Sequence, residues 1–307
     1  MKLFRLPAIR IHGWGGLGSQ LYTWALFEDL SVKFPKRKIL ILLHDATFTR
    51  RPSELGTFFD ENVIKIISDY KPGSKNATFK KINDGNKKDK ILGIRIKLKA
   101  KEMIINSLKT TLSATGIFAT CDSTESFAKL KPWVLIIRGS YYNRFISTST
   151  VDGILRRASN FGNPFQNYNG GNELICLHYR LGDLLTIGSK KPMDFEKIAI
   201  LINEIGRKQN IKNLHIFSDS TETAISIAFE YFVNMEITGR ELEIKNTINE
   251  LIKAEIFIGT NSKITEWVAI FRAHSGLNPQ SFVPKSMALH LRQSFEIVQK
   301  TSNINGY

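Results

Sequence analysis

The stretch AIRIHGWGGLGSQLYTWAL, residues 8–26, joins an apolar run to a helical pattern through a cluster of glycines. The run AIRIH is typical of a strand, and the helical pattern that follows extends to Val32. Gly13, Gly15 and Gly18 spell G-x-G-x-x-G at the junction, a spacing that lets a backbone turn approach a phosphate. The stretch therefore predicts the first strand, turn and helix of an α/β layer.

A dinucleotide-binding turn also needs an acidic residue at the end of the next strand, about 20 residues further on. Here the next apolar run, KILILLHD, ends at Asp45, 27 residues beyond Gly18, which argues against a dehydrogenase. Two interpretations stay open: a tight turn without a ligand, or a turn whose glycines admit a sugar or phosphate. In the second, Gly15, Gly16, Gly18 and the Gln20 side chain would line the approach.

The rest of the chain alternates short apolar runs with amphipathic stretches, which predicts α/β layers with parallel sheets. The further strand-like runs are 132–139, 173–180, 213–219 and 255–261, and the helical patterns between and after the last three are 194–208, 221–231, 244–253 and 264–273. The Asn- and Gly-rich segment 160–172 is a natural linker. We therefore predict two α/β domains, 1–160 and 173–307, on either side of this linker.

Polar residues follow each strand-like run of the second predicted domain. Ligands of open α/β sheets bind outside the carboxyl ends of the strands, so we expect these residues to converge on one crevice. They are His178, Tyr179 and Arg180 after the first run, Ser218 and Asp219 after the second, and Thr260, Asn261 and Ser262 after the third.

The segment HYRLGD, residues 178–183, is the most specific of these. A guanidinium at Arg180, where a strand gives way to a loop, is suited to grip a pyrophosphate through two parallel hydrogen bonds. Asp183 is placed to hold that arginine or to cap the next segment. The alternative is a buried Arg180–Asp183 ion pair that only orders the loop.

Taken in order, the motifs resemble those of the bacterial α-1,2-fucosyltransferases, glycosyltransferase family 11. GGLGSQL (15–21) resembles the family's GGxGNQL motif, and HYRLGD is similar to its HxRRGD motif. The other matching segments are IIRGSYYNRF (136–145), HIFSDS (215–220), FIGTNSKITEWVAIF (257–271) and FVPK (282–285). The sequence departs from the family at Ser19, Leu181 and Glu266, where the family has Asn, Arg and Trp.

The resemblance implies a GT-B-like arrangement in which the two Rossmann-like domains face a cleft, with the acceptor on the N-terminal side. It implies GDP-fucose as donor, no metal or other cofactor, and inversion at the anomeric carbon. Arg180 matches the family's arginine that binds the β-phosphate of the donor, and Arg180, His178 and Asp183 form the predicted catalytic set. The predicted donor-binding residues are Gly15, Gly16, Gly18, Gln20, Ser218, Asp219, Thr260, Asn261 and Ser262.

The predicted reaction is transfer of fucose from GDP-β-L-fucose to a galactoside hydroxyl, in α-1,2 linkage, during glycan or surface-polysaccharide synthesis. The proton acceptor stays open among Asp183, His12 and a route without a base. The alternatives are a transferase of the same fold that uses another nucleotide sugar, and an inactive relative.

The formal charge of +15 over 307 residues is uneven, because 71–109 holds eleven Lys and one Arg against three acidic residues. Such a segment is a solvated face, a nucleic-acid contact or a contact with an anionic membrane. Phe79 is its only aromatic residue, so nucleic acid is disfavoured. With no run long enough to span a bilayer and no secretory signal, we expect a cytoplasmic enzyme that contacts the inner membrane face peripherally.

Overall fold

In a computed structural model, the structure describes residues 6–45, 54–59, 61–68, 111–158, 174–181, 192–240, 242–275 and 280–307. The strands there are β1 (Ile9–Gly13), β2 (Ile39–Asp45), β3 (Ile64–Ser68), β4 (Phe118–Thr120), β5 (Ile136–Arg138), β6 (Leu174–His178), β7 (Asn213–Phe217), β8 (Glu236–Gly239), β9 (Ile256–Gly259), β10 (Gln280–Val283) and β11 (Ile304–Gly306). The helices are α1 (Leu17–Lys33), α2 (Thr124–Ala128), α3 (Thr148–Arg157), α4 (Phe195–Gln209), α5 (Thr221–Tyr231), α6 (Ile244–Lys253), α7 (Lys263–His274), α8 (Lys285–Ser294) and α9 (Glu296–Gln299).

Three sequence predictions fall outside these residues. They concern the linker 160–172, the basic segment 71–109 and Asp183. The division into domains 1–160 and 173–307 therefore stays a prediction. No helix of the described part is long and apolar enough to cross a membrane.

The strands before the predicted linker form one parallel sheet in the order β3-β2-β1-β5-β4. In its central strand β1, Ile9 and Ile11 are fully buried on one face, while Arg10 between them is exposed on the other. The order of the strands reverses between β1 and β5. In such sheets, ligands bind in the crevice outside the carboxyl ends of the two strands at the reversal.

The later strands form a second parallel sheet in the order β11-β10-β9-β6-β7-β8. Numbered from its own first strand, this is the 3-2-1-4-5-6 order of a dinucleotide-binding Rossmann sheet. Its reversal lies between β6 and β9, where His178 is in register with Gly259. The predicted α/β fold with two Rossmann-like parallel sheets is confirmed.

The two sheets meet through α1 and α7, the helices that follow β1 and β9. A Cβ at Gly18 would lie 2.6 Å from Lys263 Cβ and 2.8 Å from Ile264 N, so the two backbones almost touch. Trp267 Nε1 donates to the Gly18 carbonyl at 3.0 Å, and the Tyr22 hydroxyl donates to Glu266 Oε2 at 2.9 Å. Because both helices begin at the carboxyl edges of their sheets, this contact brings the two edges to one cleft.

A second contact joins the segment just before α3 to the residues between α8 and α9. Ile146 N donates to the Ser294 carbonyl at 2.7 Å, and Glu296 N donates to the Ile146 carbonyl at 3.0 Å. The Glu296 carboxylate accepts a further hydrogen bond from Thr148 N at the start of α3. One cluster of buried apolar side chains includes residues of both sheets. The side chains of Trp24 and Trp267 belong to this cluster.

The close approach at position 18 predicts the effect of adding one carbon there. Gly18→Ala should lower the free energy of unfolding by about 1–3 kcal/mol, because the added carbon forces the α1 and α7 backbones apart. Chemical unfolding measures it. Gly153→Ala in α3 is the matched control, since the atoms nearest to its added carbon belong to the Glu28 side chain, at 3.0–3.4 Å, and not to a neighbouring backbone. Equal effects of both substitutions would contradict a tight contact at Gly18.

Candidate functional site

The reversal of the second sheet is held together by Thr260. Its backbone N–H and its hydroxyl both donate to the His178 carbonyl, at 3.1 and 3.0 Å, and its Oγ1 accepts from Arg180 N at 3.1 Å. The side chain is buried, so it positions the backbone on which Arg180 stands and does not face the crevice. The strand ends predicted to converge do so here.

The loop after β6 is tied to the loop after β7 by Asp219. One carboxylate oxygen of Asp219 accepts from Leu181 N at 2.8 Å, while the residue as a whole stays exposed. Leu181, which stands where the resembled family has its second arginine, is 1% exposed and packs in the core of the second sheet. Arg180 is half-buried. Its backbone is held by the hydrogen bond of its own N–H to Thr260 and by that of the Leu181 N–H to Asp219.

His178 is turned inward, away from solvent. Its Nδ1 lies 2.9 Å from the Thr265 hydroxyl of α7. Burial is the main cause that lowers the pKa of His178 to about 4; the Asp219 charge opposes this shift, and the Arg180 charge contributes to it. The imidazole is therefore neutral near pH 7, and it ties β6 to α7 rather than carrying charge to a ligand.

The start of α7 follows β9 at the same strand reversal. Ser262 caps the helix by accepting from Ile264 N at 3.2 Å, and Asn261 before it is exposed. A helix N-terminus carries partial positive charge and binds anions such as phosphate. Arg180 and this helix end together form an electropositive corner between β6 and β9.

Across the cleft, the glycine turn divides into exposed and enclosed parts. Gly15 has a φ of 84°, in the left-handed region that favours glycine, and Gly15 and Gly16 are partly exposed. The space beside the Gly18 Cα is occupied by the first residues of α7. Gln20 is 3% exposed. Its Nε2 donates to the Gly15 carbonyl at 2.8 Å, and its Oε1 accepts from Leu55 N at 2.9 Å, so Gln20 fastens the turn from behind.

At the edge of the first sheet, His12, which the sequence suggested only as an alternative proton acceptor, lies in a cluster of side chains that was not predicted. His12 Nδ1 lies 2.7 Å from His44 Nε2, and the Trp14 ring stacks over His44 with centroids 4.8 Å apart. The Arg138 guanidinium lies 5.8 Å from the centre of the Trp14 ring. These residues follow or end β1, β2 and β5, so the same rule applied to the first sheet would have found them.

Among the residues that the structure describes, no group of three His, Cys, Asp or Glu side chains is arranged to hold a metal ion. The expected independence from metals stays a prediction. Ser218, which was also predicted to bind the donor, is half-buried. Its hydroxyl oxygen accepts from Ser220 N at 3.1 Å and shapes the turn before α5.

Neither a family model nor a curated protein matches this chain. Its fold is similar to the solved structure of POFUT1 in complex with GDP, at 14% identity and a TM-score of 0.45, covering 90% of this chain and 97% of that one. NodZ α-1,6-fucosyltransferase soaked with GDP-fucose is similar at 11% identity and 0.42, covering 87% and 92%. A family 9 glycosyl transferase from Veillonella parvula is similar at 12% identity and 0.43, covering 92% and 82%.

The buried, neutral His178 predicts a pH-dependent term in stability. Its pKa is lower in the folded than in the unfolded chain, so the term is fully present above about pH 6.5 and is lost as the pH falls towards about 4. The loss amounts to about 3 kcal/mol. Measured by urea unfolding at about pH 7 and about pH 4.5, wild type should lose more stability than His178→Gln. An equal loss in both proteins would contradict a neutral buried imidazole.

Proposed function

We propose that the protein is an inverting, metal-independent glycosyltransferase that moves fucose from GDP-β-L-fucose to a galactoside hydroxyl, with α-1,2 linkage. The observation that carries the proposal is the electropositive corner formed by Arg180 and the start of α7 at the reversal of a 3-2-1-4-5-6 sheet. A nucleoside diphosphate is the ligand whose charge and length suit that corner. The donor sugar, acceptor and linkage are supported by the ordered motifs that the sequence shares with fucosyltransferases.

The chemistry follows from the charge of the leaving group. As the bond between the anomeric carbon and the β-phosphate oxygen breaks, negative charge grows on the phosphate. Arg180 neutralises it through its guanidinium, and the first N–H groups of α7 add partial positive charge. Both are held before the reaction starts, because Thr260 and Asp219 fix the backbone on either side of Arg180.

The exposed Asp219 binds the nucleoside part of the donor. Its carboxylate is next to the loop that carries Arg180, and a carboxylate there accepts hydrogen bonds from ribose hydroxyls or from guanine N–H groups. Ser218 and Asn261 border the same crevice.

The acceptor enters from the first sheet. Inversion requires its hydroxyl to attack the anomeric carbon from the face opposite the pyrophosphate, and the α1–α7 contact holds the glycine turn beside the electropositive corner. Gly15 and Gly16 leave room there for a sugar ring. A peripheral membrane contact through 71–109, which would bring the enzyme to a lipid-linked or polysaccharide acceptor, rests on the sequence alone.

Loss of the Arg180 guanidinium should slow transfer by about 10²–10³-fold, as removal of one electrostatic stabiliser does. The measurement is mass spectrometry of GDP-fucose and lactose incubated with wild type or Arg180→Ala, in which the product is heavier than lactose by one deoxyhexose. Arg207→Ala, on the exposed last turn of α4, is the control and should leave the rate unchanged.

Each outcome has a separate meaning. An Arg180→Ala protein that keeps most of the activity would remove Arg180 from the mechanism. If wild type releases GDP and free fucose without a new saccharide, the donor is right and lactose is the wrong acceptor. A wild type that never consumes GDP-fucose would overturn the proposed donor.

A further inference from the structure

Arg138 is the last residue of β5, at the carboxyl edge of the first sheet. β5 pairs with β1, and the order of the strands reverses between these two. Ile137 before it is fully buried, while Arg138 itself is half-buried. Arg138 therefore lies at the strand reversal where ligands of open α/β sheets bind, and part of its side chain is accessible there.

The Arg138 guanidinium has no counter-charge among the residues that the structure describes. Its Nε is buried and has no hydrogen-bond partner, and the side chain takes part in no ion pair. An arginine cannot lose its proton to relieve the cost of burial. A charge that is partly removed from water is stabilised by an opposite charge, so an anion carried by a ligand would supply the missing partner.

The carboxylates described near this edge are held by other groups. Asp122 follows β4, the strand next to β5, and its Oδ1 accepts from Ser140 N at 2.6 Å and from the Ser140 hydroxyl at 3.1 Å. The Glu54 carboxylate accepts from Leu17 N at 3.3 Å, at the start of α1. Asp122 thus orders the loop after β5 and Glu54 the start of α1, and neither pairs with Arg138.

Trp14 positions the guanidinium without neutralising it. The guanidinium carbon of Arg138 lies 5.8 Å from the centre of the Trp14 ring, within the range of a cation–π contact. The Trp14 ring is itself fixed, because it stacks on the His44 ring at 4.8 Å with the two planes inclined by 12°. Since an indole is uncharged, the positive charge of Arg138 stays available to a ligand.

The remaining polar groups described at this edge are neutral or cationic. The Tyr141 hydroxyl donates to the His12 carbonyl, and burial raises the pKa of Tyr141 well above its usual value, so the phenol stays protonated. The His12 and His44 rings are neutral or positively charged. Arg10, on β1, is exposed. The described part of this crevice therefore favours a negatively charged ligand.

We infer that Arg138 binds an anionic group of the acceptor, a carboxylate or a phosphate on the saccharide that receives fucose. This rests on the proposed function, in which the acceptor enters from the first sheet. Because Nε is buried, the anion meets the terminal nitrogens of the guanidinium, whose parallel N–H groups match two oxygens of a carboxylate or phosphate. The acceptor class is then an acidic galactoside, and lactose is a minimal acceptor that lacks this group.

The first test measures binding in the absence of donor. Lactobionate is a galactoside with an open-chain carboxylate, and lactitol is its neutral open-chain counterpart. In saturation-transfer NMR titrations, wild type should bind lactobionate about 10–100-fold more tightly than lactitol, as expected of hydrogen bonds between charged groups. Arg138→Gln should abolish the difference, and Arg138→Lys, which keeps the charge but not the fork, should retain part of it. Equal binding of both sugars by wild type would overturn the inference.

Arg156→Gln is the matched control, because it removes the same charge from an exposed position on α3. It should keep the wild-type preference for lactobionate. The affinity for GDP, measured by calorimetry, should be the same in wild type and in both Gln variants, which also shows that they are folded. If only Arg138→Gln loses affinity for GDP, Arg138 belongs to the donor site and the inference is wrong.

The second test is kinetic, with GDP-fucose as donor. Arg138→Gln should raise KM for lactobionate by about 10–100-fold and leave kcat almost unchanged, because the anionic group is remote from the reacting hydroxyl. Lactose 1-phosphate compared with lactose identifies the anion. A preference larger than that for lactobionate over lactitol assigns a phosphate, and a smaller one assigns a carboxylate.

The two proposals fail in distinguishable ways. A wild type that transfers fucose equally well to lactobionate and lactitol, and to lactose 1-phosphate and lactose, would overturn the anion site while fucosyl transfer stands. A wild type that never consumes GDP-fucose would overturn the proposed function, and with it the acceptor role of Arg138. The donor-free titration would then still show whether Arg138 binds an anionic saccharide.

Discussion

The rest of the structure depends on the contact between α1 and α7, where the backbones approach so closely that position 18 has no room for a side chain. The contact is polar as well as tight. Burial raises the pKa of Glu266, which accepts from the Tyr22 hydroxyl, and the Lys263 ammonium lies 4.7 Å from the centre of the Tyr142 ring. A buried, satisfied polar pair permits only one alignment of the helices, so the edges of the two sheets have a defined relation.

At the electropositive corner, most polar side chains hold the backbone, and few face the crevice. Thr260 and His178 use their hydrogen-bonding groups on neighbouring strands and on α7, while Asp219 uses one carboxylate oxygen on the loop. This division explains how Leu181 fits at a position where the resembled family has arginine. The Leu181 side chain belongs to the core, and the charge next to it is that of the half-buried Arg180.

The buried strands and the helices between them could be predicted from sequence because a parallel strand covered on both faces is a continuous apolar run. The short edge strands could not. In β8, EITG, exposed and half-buried residues alternate over only four positions, and β4 and β11 have three residues each. The strand ends near Arg180 were found, since carboxyl ends of parallel strands share an edge. The functions of Gly18 and Gln20 in packing were not, because their partners, Lys263 and the 54–55 backbone, are distant in sequence.

The apolar core that runs through both sheets has a consequence for recombination between related chains. Here α1 packs on its own sheet and also on α7, through Gly18, Tyr22 and the indole of Trp267. A functional chimera would therefore have to inherit α1 and α7 from the same parent, although they follow strands of different sheets.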